Sequence, residues 1–197
     1  MKSSLLILFT LSSFFLCKSQ KPLYYTEVIF VDSTTSKQEL FDRARIWFTT
    51  YFTDSKEVIQ VADKDYGELV FRGIIPYDSK VNELSSGTKG IISFDVKLYI
   101  KTGKYKYQFT NFRHEGTGGY EFLGSNSSTT RFETISFGLL TMDSLIPRDR
   151  FERKMDYGWQ NRVWKDLKQF AGGRSYELVE FLKKSMLTPS PPKNDNW

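Results

Sequence analysis

His114 and Glu115 are adjacent, and a His-Glu pair is how the helical zinc-protease motif begins. That motif brings a second histidine onto the same face one helical turn later. Here Thr117 and Gly118 follow, and His114 is the only histidine in the chain. Neither a histidine-based zinc site nor a Ser-His-Asp triad with alternative bases can be assembled. A general base also needs a positioned partner, and none is identifiable. His114 therefore reads as an exposed loop residue, with a lone catalytic base as the alternative. Asp63, Asp65 and Gly67 have the opening of a calcium loop, but Ile74 occupies the twelfth position, where a bidentate glutamate belongs. A tight turn between strands accounts for the same residues. Gly116-Thr117-Gly118-Gly119 lacks both the Gly-Lys-Ser/Thr ending of a phosphate loop and a helix start after it, so it reads as flexible linker. No catalytic residue, metal site or cofactor is assigned.

The richest surface is on two strands. Ile92, Phe94, Val96, Leu98 and Ile100 alternate with Ser93, Asp95, Lys97, Tyr99 and Lys101, the period of a strand with one buried face. Thr102-Gly103 supplies a two-residue turn. The return strand puts Tyr105, Tyr107 and Phe109 on one side and Lys104, Lys106 and Gln108 on the other. Lys97, Tyr99, Lys101, Lys104, Lys106 and Gln108 thus form a basic, partly aromatic strip suited to an acidic ligand or partner. An ordinary solvated face, whose lysines discourage edge-to-edge aggregation, accounts for the same residues. Trp47, Trp159 and Trp164 fall on helical stripes and read as core, with a pocket for a small apolar ligand as the alternative.

The elements that must position these residues follow in chain order. Tyr24 to Val31 is a first strand. Ser36-Lys37-Gln38-Glu39 is a capping box, in which the serine hydroxyl accepts an amide and the glutamate reaches back. The helix it opens carries Leu40, Ala44, Trp47, Phe48 and Tyr51 on one stripe. Lys56 to Ala62 and Glu68 to Ile75 are two strands around the Asp63 turn, and Pro76 ends the second. From Arg113 to Pro147 the pattern is lost, and residues 113–150 read as a variable loop insertion with one short strand near Ile135, Phe137 and Leu139. Phe151, Met155, Trp159, Val163 and Leu167 begin a second helix, which Gly172-Gly173 is expected to break at about 1 kcal/mol per glycine. Ser175 would cap a further short helix carrying Leu178, Val179, Leu182 and Met186. Residues 188–197 read as a disordered, Pro-rich tail.

Lys2, an apolar run from Leu5 to Leu16 and then Cys17-Lys18-Ser19 have the layout of an export signal over residues 1–19. Cleavage after Ser19 would remove the only cysteine. Lipidation of Cys17 is the alternative, but bulky Leu16 stands where a lipoprotein signal needs a small residue. The apolar run falls short of the roughly 20 residues that cross a bilayer and no other stretch is apolar enough, so no transmembrane segment is expected in the mature chain, of which residues 20–187 read as a single domain. Asn126-Ser127-Ser128 is a glycosylation sequon that matters only in a eukaryotic secretory route. Removing Lys2 and Lys18 takes 28 basic residues to 26 against 23 acidic ones, a balance of +3. That mild excess lacks the concentration of a nucleic-acid footprint.

The order β-α-β-β-β-β-α matches one half of the TATA-binding-protein fold, an α+β antiparallel sheet of about five strands with helices on one face. Here a C-terminal helical extension is added. Ser36-Lys37-Gln38-Glu39-Leu40-Phe41, Arg43-Ala44, Trp47-Phe48, Ser55-Lys56, Val58-Ile59, Asp63, Gly67 through Arg72-Gly73, and Lys101 to Tyr107 resemble an exported bacterial domain family of unknown function with that fold. The resemblance covers about Val28 to Phe112 well and the helix near Trp159 loosely. It implies a fold and a periplasmic or envelope location, with secretion as a further option, and supplies no catalytic residues.

The expected function is a non-catalytic interaction domain of the bacterial envelope. Its partner would be an unknown envelope protein or an acidic ligand, without nucleic acid. A small apolar ligand carrier and, after it, a hydrolase using His114 are the other two readings.

Overall fold

Gly103, at φ 72°, closes the turn between two long strands, a backbone angle at which a Cβ is costly. In this computed structural model those strands are the centre of the sheet. The structure describes residues 20–52, 59–79, 81, 87–117, 120–122, 129–131, 134–148, 150–151 and 156–190. The expected signal at 1–19, the sequon and residues 191–197 lie outside them.

The elements run β1 (Tyr25–Phe30), α1 (Lys37–Tyr51), β2 (Ile59–Asp63), β3 (Glu68–Tyr77), β4 (Gly90–Lys101), β5 (Lys104–Gly116), β6 (Tyr120–Phe122), β7 (Thr129–Arg131), β8 (Gly138–Leu139) and α2 (Tyr157–Leu187). The main sheet has six antiparallel strands in the order β1-β5-β4-β3-β2, with β8 paired to the far end of β5. β6 and β7 form a separate two-stranded sheet. The five strands and first helix read from the sequence are all present. No described helix is long and apolar enough to cross a membrane.

Both helices pack on one face. Leu40, Phe41, Ala44, Trp47 and Phe48 of α1, and Trp159, Val163, Trp164, Leu167, Ala171, Leu178, Val179, Leu182 and Met186 of α2, are buried against Leu69, Phe71, Ile75, Phe94, Val96, Leu98, Ile100, Tyr105 and Phe109. Each of the valine, leucine, isoleucine, phenylalanine and methionine side chains among them contributes about 1.5–3 kcal/mol on removal from water, before entropy is counted.

Several sequence expectations are corrected. β5 does not dissolve at Arg113. Ser93 pairs with Arg113 and Asp95 with Thr110, so two residues of β5 oppose one of β4 in a bulge at Asn111, the only described non-glycine residue with positive φ (56°). The extra residue switches the parity of the strand: Tyr105, Tyr107 and Phe109 face the helices before it, and Phe112 and His114 after it. The chain beyond also joins the core through Phe137, Leu140 and Ile146, so residues 113–150 are not wholly a surface insertion.

Pro76 does not end β3, which runs to Tyr77. Beyond Phe71 the described β3 has only β4 beside it, and a proline is tolerated where one side of a strand is free.

α2 passes through Gly172-Gly173 unbroken, and it starts at the N-cap Asp156, so Phe151 precedes it. Ser175 caps no new helix; its hydroxyl donates to the carbonyl of Ala171 (2.8 Å). Packing outweighs propensity here, because the glycines sit between two buried turns. A Cβ on Gly172 would come within 2.9 Å of the Tyr25 hydroxyl, so the bare backbone lets α2 approach β1.

The capping box is half formed. Ser36 accepts from the Glu39 amide (3.1 Å), but the Glu39 carboxylate binds Arg43 (2.9 Å) and the Ser190 amide (2.8 Å), which ties the first part of the expected disordered tail to α1.

The two glycines separate in one experiment. Gly173→Ala, with open space around its new methyl, should stabilise the protein by about 0.5–1 kcal/mol in urea unfolding. Gly172→Ala should gain less or lose stability. Equal gains would show that close approach to Tyr25 is not the reason for Gly172.

Candidate functional site: the open sheet face

The face of the sheet away from the helices is uncovered. The register sets its rows: Thr26 beside Gln108 and Lys97, Val28 beside Lys106 and Tyr99, Phe30 beside Lys104 and Lys101. Lys97, Lys106 and Gln108 are half-buried, while Tyr99, Lys101 and Lys104 are exposed. The six strip residues expected from sequence are thus brought together. Five of them, Tyr99, Lys101, Lys104, Lys106 and Gln108, line a shallow depression of about 460 Å³ with Val28 and Tyr105; Lys97 lies outside it.

Electrostatics set this strip apart from the rest of the face. Lys101 and Lys104 are direct cross-strand neighbours, an arrangement that disfavours folding. Among the described residues none of Lys97, Lys101, Lys104 or Lys106 has an ion-pair partner, whereas Arg72, Lys64, Lys89 and Lys183 each have one. Further along the face the charge is cancelled: Asp95 accepts from Arg72 (2.9 Å) and from the Asn111 side chain at the bulge (2.6 Å). Lys104 Nζ lies 5.7 Å from the centre of the Phe30 ring, a cation held over an aromatic face. Val28 and Phe30 were missed as members of this surface. Their alternation with Glu27 and Ile29 was the signal available.

A second concavity, also about 460 Å³, lies between β1 and α2 and is lined by Tyr25, Glu27, Tyr107, Tyr176, Val179 and Lys183 among others. Tyr107 donates to Glu27 (3.0 Å), and Lys183 bridges Glu27 (3.3 Å) and Glu180 (3.5 Å). Burial pushes the Tyr107 hydroxyl up to about 12, and Glu27 adds to the shift. Trp47 and Trp164 are fully buried and Trp159 nearly so, filling the space between helices and sheet where a pocket was the alternative.

His114 is corrected from an exposed loop residue to a fully buried one in β5. Its Nε2 is 2.9 Å from the Thr88 carbonyl, and Nδ1 accepts from the Phe137 amide (3.1 Å), which makes the ring neutral with its proton on Nε2. Tyr77 packs edge-on against it, 5.3 Å between centroids. Both nitrogens are committed and the ring is closed from solvent, so it offers no base to a substrate. Asp63 holds the β2–β3 turn by accepting from the Asp65 (3.0 Å) and Tyr66 (2.9 Å) amides.

Residues 25–115 match the model of a domain of unknown function with a TBP-like fold, DUF4468. Over this segment the chain is similar to that family. The matched segment runs from the start of β1 almost to the end of β5, and α2 lies outside it. A DUF4468 family protein from Bacteroides ovatus has a similar solved structure, at 13% identity and a TM-score of 0.51, covering 87% of this chain and 90% of that one. A TBP-like protein from Parabacteroides distasonis aligns at 11% identity and a TM-score of 0.49, covering 82% and 93%. No curated protein matches the chain. The likeness to the Bacteroides ovatus structure shows a common fold and carries no chemistry.

Burial lowers the His114 pKa, with the Thr88 bond opposing in part. The unfolded chain then binds a proton near the ordinary pH of about 6.5 while the folded one does not. The stabilising contribution is complete above that pH and is lost as pH falls below it. Urea unfolding from about pH 8 to 5 should show this decline. His114→Leu should cost about 2–4 kcal/mol at neutral pH and flatten it; an unchanged pH slope in the variant would refute the assignment.

Proposed function

We propose that the protein is a non-catalytic binding domain of the bacterial cell envelope, and that the open sheet face holds an acidic partner. The observation that carries this reading is the set of four lysines on adjacent strands β4 and β5, without a carboxylate partner among the described residues. Cross-strand lysines weaken a sheet, and a sheet needing only solubility could alternate their sign as it does at Arg72 and Asp95. The export-type pattern of residues 1–19 supports the envelope location. The buried His114 supports a role without catalysis at that residue.

Poly-L-glutamate is the direct probe. Binding should weaken with rising salt, and the combined Lys97→Glu, Lys101→Glu, Lys104→Glu and Lys106→Glu variant should lose at least about tenfold in affinity. An unchanged affinity in a folded variant would remove the sheet face from the proposal.

A second reading, a carrier for a small apolar ligand, rests on the β1–α2 groove. There Tyr25, Tyr107, Tyr176 and Val179 supply apolar lining beside the charged Glu27, Glu180 and Lys183. Native mass spectrometry of protein purified from its own host should then show a retained small molecule that Val179→Arg releases. A spectrum of bare protein alone would eliminate it.

A further inference from the structure

The two edges of the main sheet are unlike. β2 is five residues long, and its register with β3 slips between Ile59 and Val61, a bulge that spoils an edge for further pairing. β1 pairs with β5 in unbroken register over all six of its residues, Tyr25 to Phe30, and contains no lysine, arginine or proline. Its one charge, Glu27, faces the helix side and is engaged by Tyr107 and Lys183. On the open face the same strand shows Val28 at 48% and Phe30 at 74% exposure. An edge strand turns alternate backbone groups away from its sheet, where they can pair with another chain. Natural edges are usually blunted by charge, proline or a bulge, and β1 carries none of these on its open side.

The lysine strip begins in the very next strand. Lys106 is the cross-strand neighbour of Val28, and Lys104 of Phe30. Lys104 already reaches back over the Phe30 ring, which carries its charge toward the β1 edge. A strand added to β1 would lie about 4.8 Å away. Its side chains on the open face would meet Val28 and Phe30 first, and then the ammonium groups of Lys104 and Lys106.

Resting on the acidic-partner reading, we propose that the partner is an extended polypeptide segment of alternating acidic and apolar residues that adds a strand to the edge of β1. Main-chain hydrogen bonds to β1 supply the pairing, Lys104 and Lys106 the charge selection, and Val28 and Phe30 pack on the methylene stems of the acidic side chains that share their face, while the segment's apolar residues fall on the helix side of the sheet beside Tyr25 and Ile29. The pairing fixes the segment in register, so its carboxylates recur on the lysine side at the spacing of a strand.

The probe is a capped ten-residue peptide alternating glutamate and valine, compared with one alternating lysine and valine and with poly-L-glutamate. The full chain, a Val28→Glu/Phe30→Glu variant and a Lys104→Glu/Lys106→Glu variant are titrated by fluorescence anisotropy, after circular dichroism has shown both variants folded. Hydrogen exchange is followed at residues 25–30, with residues 59–63 as the internal control. The expected result is binding of the Glu-Val peptide with slowed exchange in β1 alone, at least about tenfold weaker in either variant, and no binding of the Lys-Val peptide. Binding without added protection in β1, or undiminished in the Val28/Phe30 variant, overturns strand addition and leaves the lysine face standing. Failure of both poly-L-glutamate and the Glu-Val peptide overturns both readings. A dimer in sedimentation that the Val28/Phe30 variant abolishes also overturns the proposal, because the edge then belongs to a second copy.

Discussion

A strand shows its side chains alternately to two faces, and here helices cover only one of them. Almost everything else in the molecule depends on that asymmetry. The covered face must be apolar along five strands at once, which fixes the register of β4 on β5 and of β1 on β5: a slip by one residue would exchange Phe94, Val96 and Leu98 for Ser93, Asp95 and Lys97 in the core. The uncovered face escapes that requirement. What stands on it is therefore informative, and what stands there is a run of lysines with no opposing charge among the described residues, beside two exposed apolar side chains.

The bulge at Asn111 lets one strand serve both ends of this arrangement. Before it, β5 sends lysines outward and aromatic residues inward in strict alternation. After it, the inward set is Phe112 and His114, so the strand keeps a core face while β4 keeps its own phase. Asp95 bonds the Asn111 side chain and Arg72, so the irregularity is tied down from the open side. His114, bonded to Thr88 and Phe137, ties the chain before β4 and the chain after β7 to the same strand. Its chemistry is spent on structure.

The hairpin, the first helix and the resemblance to a family with a TBP-like fold were legible because they rest on local signals: period-two alternation, a capping serine and a glycine turn. The lysine strip followed from the same alternation. What was not legible depended on contacts distant in sequence. His114 lay beyond the point where the alternation broke, and a parity switch looks like a loop unless the partner strand is known. Gly172-Gly173 looked like a helix end because propensity counts only the helix itself, whereas Tyr25, far away in the chain, needs the space that Gly172 leaves. Glu39 met the capping pattern, yet a better donor arrived from Ser190. Val28 and Phe30 looked like ordinary strand residues until the strand order placed them at an edge beside Lys104 and Lys106.

The central claim is that the open face, rather than the helical side or the β1–α2 groove, is where this protein meets its partner. Backbone NMR shifts recorded during titration with poly-L-glutamate test this most directly. Perturbations should concentrate in β1, β4 and β5 around Lys97, Lys101, Lys104 and Lys106, with α1 and α2 unmoved. Perturbations centred on α2 near Tyr176 and Lys183, or spread evenly over the surface, would contradict it.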